Sequence, residues 1–188
     1  MAATTSYLIP AGDLSLDERR SMRQNADAKL LSAATKLKIR DNPDDLCIRD
    51  VLPFTDFALA PAANNEEWLM AGPGVNGTDL QYFASQLAVE RCVVFFGLWL
   101  GSVPYGVTRV RLTQGATSAQ IRSAYQVEKL EPRLEPFGYF NEGVIFIRQE
   151  VVRIMVMPKA AFAANTLRLG FEARTIEPIG LVISGPSI

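Results

Sequence analysis

The side chains that most often carry catalysis in proteins are scarce or poorly placed in this chain. Histidine is absent from all 188 residues. Because His is the usual general base near neutral pH and a common metal ligand, Ser-His-Asp and Cys-His nucleophile systems and His-ligated metal sites are excluded. The carboxylate pairs Glu66-Glu67 and Glu128/Glu131 have no spacing that assigns an acid and a base. The sequence therefore predicts a protein that is not an enzyme, with no catalytic, cofactor-binding or metal-ligating residues.

Two other segments resemble binding loops but lack the residues that such loops need. The acidic segment 41–45, Asp-Asn-Pro-Asp-Asp, has neither the alternating carboxylates nor the central Gly and closing Glu of a calcium loop, so it predicts a plain turn. The Gly-rich segment 72–77 is not followed by Lys-Ser/Thr, and Pro73 removes a backbone donor that a phosphate would need. Cys47 and Cys92 lie far apart without CxxC spacing, which predicts free thiols.

One arginine-bearing segment leaves two interpretations open. Residues 107–113 alternate as a strand, with Thr108, Val110 and Leu112 on one face and Val107, Arg109 and Arg111 on the other. In the first interpretation the arginines form the solvent face of an edge strand. In the second they converge with Tyr105 and Tyr125 inside a β-barrel, where a few fixed donors in an apolar pocket would hold an anion or a sugar.

Charge is nearly balanced in total but is distributed unevenly. Residues 51–90 hold five acidic and no basic side chains, whereas residues 91–188 hold eleven basic and seven acidic ones. Such segments can attract each other within a fold or between copies. Fourteen of the nineteen basic residues are Arg, whose planar donor fork suits protein interfaces. No Lys/Arg run of nucleic-acid-binding length is present, so no direct nucleic-acid binding is expected.

The most apolar segment, residues 92–100, reads CVVFFGLWL and contains no polar side chain. It is less than half the length of about 20 residues that a membrane-spanning helix requires, so no membrane span is expected. Its β-branched and aromatic residues predict a strand covered on both faces. Leaving four or five of these side chains in water would forfeit on the order of 10 kcal/mol. We therefore expect the N-terminal helix and a second copy of the protein to cover the outer face.

Two helices are predicted from capping boxes. Ser15 and Glu18 form the first, ahead of a narrow, Ala-rich stripe that ends before residue 41. The apolar positions of that stripe are Leu16, Ala26, Leu30, Ala33 and Leu37. Thr78 and Gln81 form the second capping box, which predicts a short helix over residues 79–89.

The rest of the chain predicts strands. Besides residues 92–100 and 107–113, the segments are 46–52, 54–59, 144–147, 151–157, 166–173 and 179–184, with a helical turn followed by a strand in 121–130. Runs of strands without interleaved helices favour a mainly β protein, an antiparallel β-sandwich or jelly roll with an N-terminal helical arm and one short additional helix. We expect residues 1–45 to form the arm and residues 46–188 to form the sandwich as a single domain.

This layout of a helical arm, a long acidic loop and about eight strands without a catalytic signature resembles the single jelly-roll structural proteins of viral and phage capsids. The resemblance covers residues 45–188 at the level of strand order and loop length. It implies a shell built from sandwiches packed side by side, with termini reaching beneath neighbouring subunits. The arm of this chain is neutral, whereas many coat proteins of RNA viruses carry strongly basic arms, so a shell filled after assembly or an outer decorating role fits better.

The function predicted from these features is a structural, self-assembling protein such as a coat, minor capsid or decoration subunit. Its expected partners are further copies of itself and other structural proteins of the same assembly. The alternative is a small-molecule-binding β-barrel, or an enzyme built on one. Because the N-terminus shows no signal-peptide pattern, we expect synthesis in the cytoplasm and, on the capsid hypothesis, a place in the virion. The interface candidates are Leu16, Leu30, Leu37, Val93, Phe95, Trp99, Arg109 and Arg111.

Overall fold

The computed structural model describes residues 6–57, 59, 68–70, 72–101, 106–115 and 120–181. Within them lie nine β-strands and two α-helices. The helices are α1 (Leu16–Lys36) and α2 (Pro53–Phe57). The strands are β1 (Leu8–Pro10), β2 (Leu46–Asp50), β3 (Leu80–Gln86), β4 (Cys92–Leu100), β5 (Val107–Gln114), β6 (Gln120–Gln126), β7 (Phe137–Phe146), β8 (Val151–Pro158) and β9 (Leu169–Pro178).

The strands form two antiparallel sheets that pack face to face. The first sheet has the order β1-β7-β4-β9-β2 and the second has the order β3-β8-β5-β6. The pairs β5/β6, β4/β7, β3/β8 and β2/β9 are nested in sequence, as if one long hairpin were wound around the core. This nesting is the strand order of a jelly roll. The predicted antiparallel sandwich is therefore confirmed.

The apolar segment 92–100 is the central strand β4, as predicted, and it is buried along its length except at Trp99. Val93, Phe95 and Leu98 face the core between the sheets. Val94 and Phe96 point the opposite way, into a second apolar cluster beneath α1. The expectation that a second copy must complete this cover is not met, because both faces of β4 are enclosed within one molecule.

Helix α1 begins with the predicted capping box. The Ser15 hydroxyl accepts from the backbone N–H of Glu18 at 3.3 Å, and the Glu18 carboxylate accepts from the backbone N–H of Ser15 at 2.8 Å. The backbone N–H and also the hydroxyl of Ser15 donate to the Glu18 carboxylate and lower the pKa of Glu18. The helix buries Ala26, Leu30 and Ala34 against the first sheet.

Leu16 was predicted on the packed face of α1, but its side chain is 71% exposed. It occupies the first residue of the helix, ahead of the turns that cross the sheet. The apolar contact between α1 and the sheet is small, and ion pairs from the helix to the sheet and its loops surround it. These pairs join Asp27 to Arg174 at 2.8 Å, Arg23 to Asp50 at 2.9 Å, Lys29 to Glu142 at 3.3 Å and Arg19 to Glu135 at 3.1 Å.

Three local predictions are wrong. Residues 79–89 were expected to be helical but contain β3, whose aromatic side chains Tyr82 and Phe83 both enter the core. Residues 54–59 were expected to be a strand but contain the end of α2, which Pro53 opens with a fixed φ that suits the first turn of a helix. In residues 121–130 the expected order is reversed, because strand β6 precedes a 3-10 turn.

Other strand boundaries also differ from those predicted. Strand β7 spans Phe137–Phe146, whereas the predicted strand covered only 144–147. Gln149 and Glu150 lie in the connection between β7 and β8. The proposed strand 179–184 begins as a 3-10 turn over residues 179–181, and its remainder lies outside the described residues. In the predicted arm, β1 pairs with β7 and so belongs to the first sheet.

Candidate interaction surface on the second sheet

The two outer faces of the sandwich differ in what covers them. Helix α1 packs mainly on β4, β7 and β9, all in the first sheet. The outer face of the second sheet carries the arginines of β5 together with side chains of β8 that alternate with its core residues. We call this the arginine face, and its members are Arg109, Arg111, Arg153, Met155 and Met157.

The predicted alternation of β5 is correct for the arginines and wrong for one residue. Val110 and Leu112 are fully buried in the core, and Arg109 and Arg111 lie on the opposite side. Val107 was placed beside the arginines, but it is fully buried. A register shift between Val107 and Arg109 rotates the start of the strand, so that Val107 joins the core.

Asp79 lies between the two arginines of β5 and forms ion pairs with both. Its carboxylate is 3.1 Å from Nη2 of Arg109 and also pairs with Nη2 of Arg111. All three side chains are about a quarter exposed, at 29% for Arg109 and 23% for the other two. The Nε atoms of both arginines are buried without a hydrogen-bond partner in the described part of the chain. Two guanidinium groups thus share one carboxylate, which leaves this part of the face positively charged.

Arg109 and Arg111 do not converge with Tyr125 on an internal pocket. Tyr125 lies in the core, 1% exposed, and its ring stacks on Phe140 with the centroids 4.1 Å apart. Burial raises the pKa of Tyr125 to about 12. It therefore occupies the opposite face of the sheet from Arg109 and Arg111. Tyr105, the fourth residue of the hypothesis, lies outside the described residues.

The remaining interface candidates from the sequence are distributed over the interior and the first sheet. Leu30, Val93 and Phe95 are fully buried, and Leu37 is half-buried against the cluster beneath α1. Leu30, Val93 and Phe95 pack inside the folded monomer and so offer no surface to a partner, whereas Leu37 keeps part of its surface exposed. Trp99 is half-buried on the outer side of β4, where its indole ring lies across the backbone of Gly170.

The acidic middle segment finds its partners within the chain. Asp56, Asp79 and Glu90 each form ion pairs with arginines of the same molecule. Glu66 and Glu67 lie outside the described residues. The predicted attraction between the acidic segment and the basic segment 91–188 thus operates inside the fold for Asp56 and Asp79, whereas Glu90 pairs with Arg40.

A buried ionic ring at one end of the first sheet was not anticipated from the sequence. The carboxylates of Asp56 and Glu177 are completely buried, and each binds both Arg49 and Arg91. The four nitrogen–oxygen distances lie between 2.5 and 3.0 Å. The hydrogen bond that Arg49 donates to Asp56 is the main reason that the pKa of Arg49 is raised. The ring joins β2, α2, β9 and the residue before β4, four segments that no local pattern connects.

Residues 41–45 form a turn, as predicted. Pro43–Asp45 forms a 3-10 turn, and the Asn42 side chain accepts from the backbone N–H of Asp44 at 3.1 Å. Asp41, Asp44 and Asp45 are exposed, and within the described chain none of them forms an ion pair. We call these three the acidic turn. It is a compact negative site without an ion-pair partner in the part of the chain that the structure describes.

In the described ranges, no three Cys, Asp or Glu side chains come together as a metal-binding group. Neither α1 nor any other described helix is long and apolar enough to cross a membrane. A comparison with protein-family models and with curated protein sequences finds no match to this chain.

Proposed function

We propose that this protein is a structural subunit that associates with copies of itself through the arginine face. The observation that carries the proposal is that the outer faces of the two sheets differ. The first sheet is covered by α1 of the same chain, whereas the arginine face holds two guanidinium groups on a single carboxylate. Guanidinium groups on apolar stems are common at protein interfaces, because they bind carboxylates with two parallel hydrogen bonds.

The acidic turn is the complementary surface in this proposal. Asp41, Asp44 and Asp45 are exposed and unpaired in the described chain, and they belong to the connection between α1 and β2 rather than to the second sheet. A contact from the acidic turn of one copy to the arginine face of the next joins two different surfaces. Such head-to-tail contacts close into rings or continue through a larger assembly. They therefore suit a shell subunit.

The jelly-roll strand order supports the same class of function, since it is the architecture on which the resemblance to capsid proteins rests. Within this proposal the assembly is a viral or phage shell and the chain is a coat, minor capsid or decoration subunit. Electron microscopy of purified material tests the class of assembly directly, because a shell, a ring and a monomer give different images.

Charge reversal tests the contact itself. The double variant Arg109→Glu/Arg111→Glu is expected to shift the protein towards the monomer in sedimentation velocity at micromolar concentration. Asp44→Arg/Asp45→Arg is expected to do the same. An equimolar mixture of the two variants should recover some association, because the reversed turn now meets a reversed face. Association of the unmodified protein should weaken as salt is added, since exposed charges are screened over about 10 Å at 0.1 M salt.

Arg20→Glu is the matched control, because Arg20 lies on α1 with its side chain 75% exposed. It should leave association unchanged. A protein that stays monomeric at every accessible concentration and gives no particles in the microscope would contradict self-association. Association that survives both double variants would place the contact on another surface.

A further inference from the structure

Strand β7 contains an irregularity that opens two clefts beside α1. Its pairing with β4 runs from Phe146 to Val144, opposite Val93 to Phe95, and resumes at Tyr139, opposite Gly97. Four residues of β7, 140–143, therefore lie opposite the single residue Phe96. Bulges of this kind are frequent next to functional sites, because they redirect side chains and interrupt pairing. We call residues 140–143 the β7 bulge.

The larger cleft, with a volume of about 430 Å³, lies between α1 and the β7 bulge. Apolar atoms of Met22, Ala26, Phe96 and Phe140 line its interior. A volume of this size falls within the range of about 300–1,000 Å³ in which small-molecule sites are usually found. Asn25 and Ser32 supply polar groups at the helix side.

The smaller cleft, of about 210 Å³, lies on the other side of the β7 bulge and has polar walls, with Arg122, Ser123 and Tyr125 contributed by β6. Arg122 is already engaged, since it donates to Glu150 at 2.6 Å and to the carbonyl of Ile145 at 3.1 Å. Lys29 lines both clefts.

The Lys29 ammonium is the cation with donor capacity to spare. Its Nζ donates to the carbonyl of Gly143 at 2.8 Å and to the carboxylate of Glu142 at 3.3 Å. These are its hydrogen bonds in the described chain, and an ammonium has three donors. Glu142 is 58% exposed in its side chain, and an exposed ion pair of this kind contributes only about 0–1 kcal/mol. A carboxylate from outside can therefore replace Glu142 at little cost.

We propose that these clefts form a binding site for a small amphipathic carboxylate. Its carboxylate group binds the Lys29 ammonium in place of Glu142, and its apolar body occupies the 430 Å³ cleft between α1 and the β7 bulge. The site goes beyond the assembly proposal and does not depend on it, because the residues that line the two clefts include no member of the arginine face. Glu142 acts in this scheme as an internal competitor for Lys29.

Equilibrium binding of radiolabelled decanoate, below its micellar concentration, tests the site. Decanol, which lacks the charge, and acetate, which lacks the apolar body, are both expected to bind much more weakly. Lys29→Gln should weaken decanoate binding about tenfold or more, the effect expected from losing one charge-assisted hydrogen bond. Glu142→Gln should strengthen it, because the competing carboxylate is gone. Ala28→Phe, at an exposed helix position that lines the larger cleft, should weaken binding by filling space.

Lys36→Gln is the matched control, since it makes the same charge change at an exposed position of the same helix, away from both clefts. Circular dichroism melting of each variant checks that α1 remains docked. Three results would overturn the proposal: no decanoate binding by the unmodified protein, equal effects of the two lysine variants, or weaker binding after Glu142→Gln. The opposite directions expected for Lys29 and Glu142 separate a binding site from a general loss of stability.

Discussion

Removing one carboxylate from the buried ionic ring gives the most quantitative test of the fold. In the native protein, Glu177 receives hydrogen bonds or ion contacts from Nε of Arg49 at 2.7 Å and from Nη2 of Arg91 at 2.5 Å. Its side chain is fully buried, and the two guanidinium groups are only 19% and 17% exposed. The substitution Glu177→Gln keeps the shape but leaves two positive charges to share Asp56.

The expected cost follows from these contacts. A net hydrogen bond to a charged group contributes about 1.5–3 kcal/mol, and Glu177 accepts one such bond, from Arg49, beside its ion pair with Arg91. Breaking a buried ion pair by removing one partner costs about 3–5 kcal/mol by direct measurement in other proteins. Because the Gln oxygen still accepts from one arginine, we expect the lower part of this range, about 3 kcal/mol. For a chain of this length such a loss lowers the melting temperature by about 6–12 °C.

Urea denaturation followed by circular dichroism measures this loss, and Arg20→Gln is the control. Arg20 and its partner Asp17 are 75% and 92% exposed, so that variant should change the free energy of unfolding by about 0.5 kcal/mol or less. Adding Arg91→Met to Glu177→Gln restores charge balance, and we expect the pair to cost less than the sum of the single changes. A Glu177→Gln protein as stable as the control would refute the view that the ring acts as a closed, charge-balanced unit.

Three further perturbations test other parts of the structure. Burial raises the pKa of Glu172, so its charged form destabilises the folded state once the pH rises through that pKa; Glu172→Gln should be more stable than the unmodified protein at neutral pH, with the difference vanishing in acid. Chemical denaturation over a pH series measures this, and a difference independent of pH would be the contrary result. Burial also raises the pKa of the Cys92 thiol, so native protein should react with a thiol reagent at the half-buried Cys47 alone, and at both residues after unfolding; rapid native labelling of both would show that α1 does not protect β4. A methyl group on Gly170 would lie 1.7 Å from Nε1 of Trp99, so Gly170→Ala should destabilise the protein by about 1–3 kcal/mol in thermal unfolding, and an unchanged melting temperature would show that the indole moves aside freely.

The parts of the fold that the sequence predicted correctly are those with a strong local pattern. The uninterrupted apolar segment of β4 and the alternation of β5 and β8 each identify a strand without reference to the rest of the chain. The capping box at Ser15 likewise fixes the start of α1. The outward direction of Arg109 and Arg111 followed from the same alternation.

The wrong predictions arise where two patterns overlap or where a long-range contact decides. In β3 the register shift between Gln81 and Phe83 turns the neighbouring residues Tyr82 and Phe83 both into the core, so the strand loses its alternation and imitates a helical face. The ionic ring was missed for a different reason. Its four members come from separate segments of the chain, and each alone looks like an ordinary surface charge.

The prediction that a second copy covers β4 was wrong because a helix with a narrow apolar stripe is enough to bury the outward side chains of the strand. Small residues such as Ala26 and Ala34 let α1 approach the sheet closely, and Leu30 fills the space between them. Ion pairs around the contact, such as Asp27 to Arg174, then fix the helix without requiring a broad apolar stripe.

Under the assembly proposal, the division of roles between the sheets has a physical reason, since α1 packs on the first sheet and the second presents the arginine face. A strand as apolar as β4 would promote non-specific association if it were exposed, whereas charged side chains on a sheet oppose such association. The arginine face keeps only partly exposed guanidinium groups at its surface, held in place by Asp79. A partner must therefore present carboxylates in the right positions before the desolvation of those groups is repaid. On this reasoning the same residues keep the single subunit dispersed and give the assembled contact its specificity.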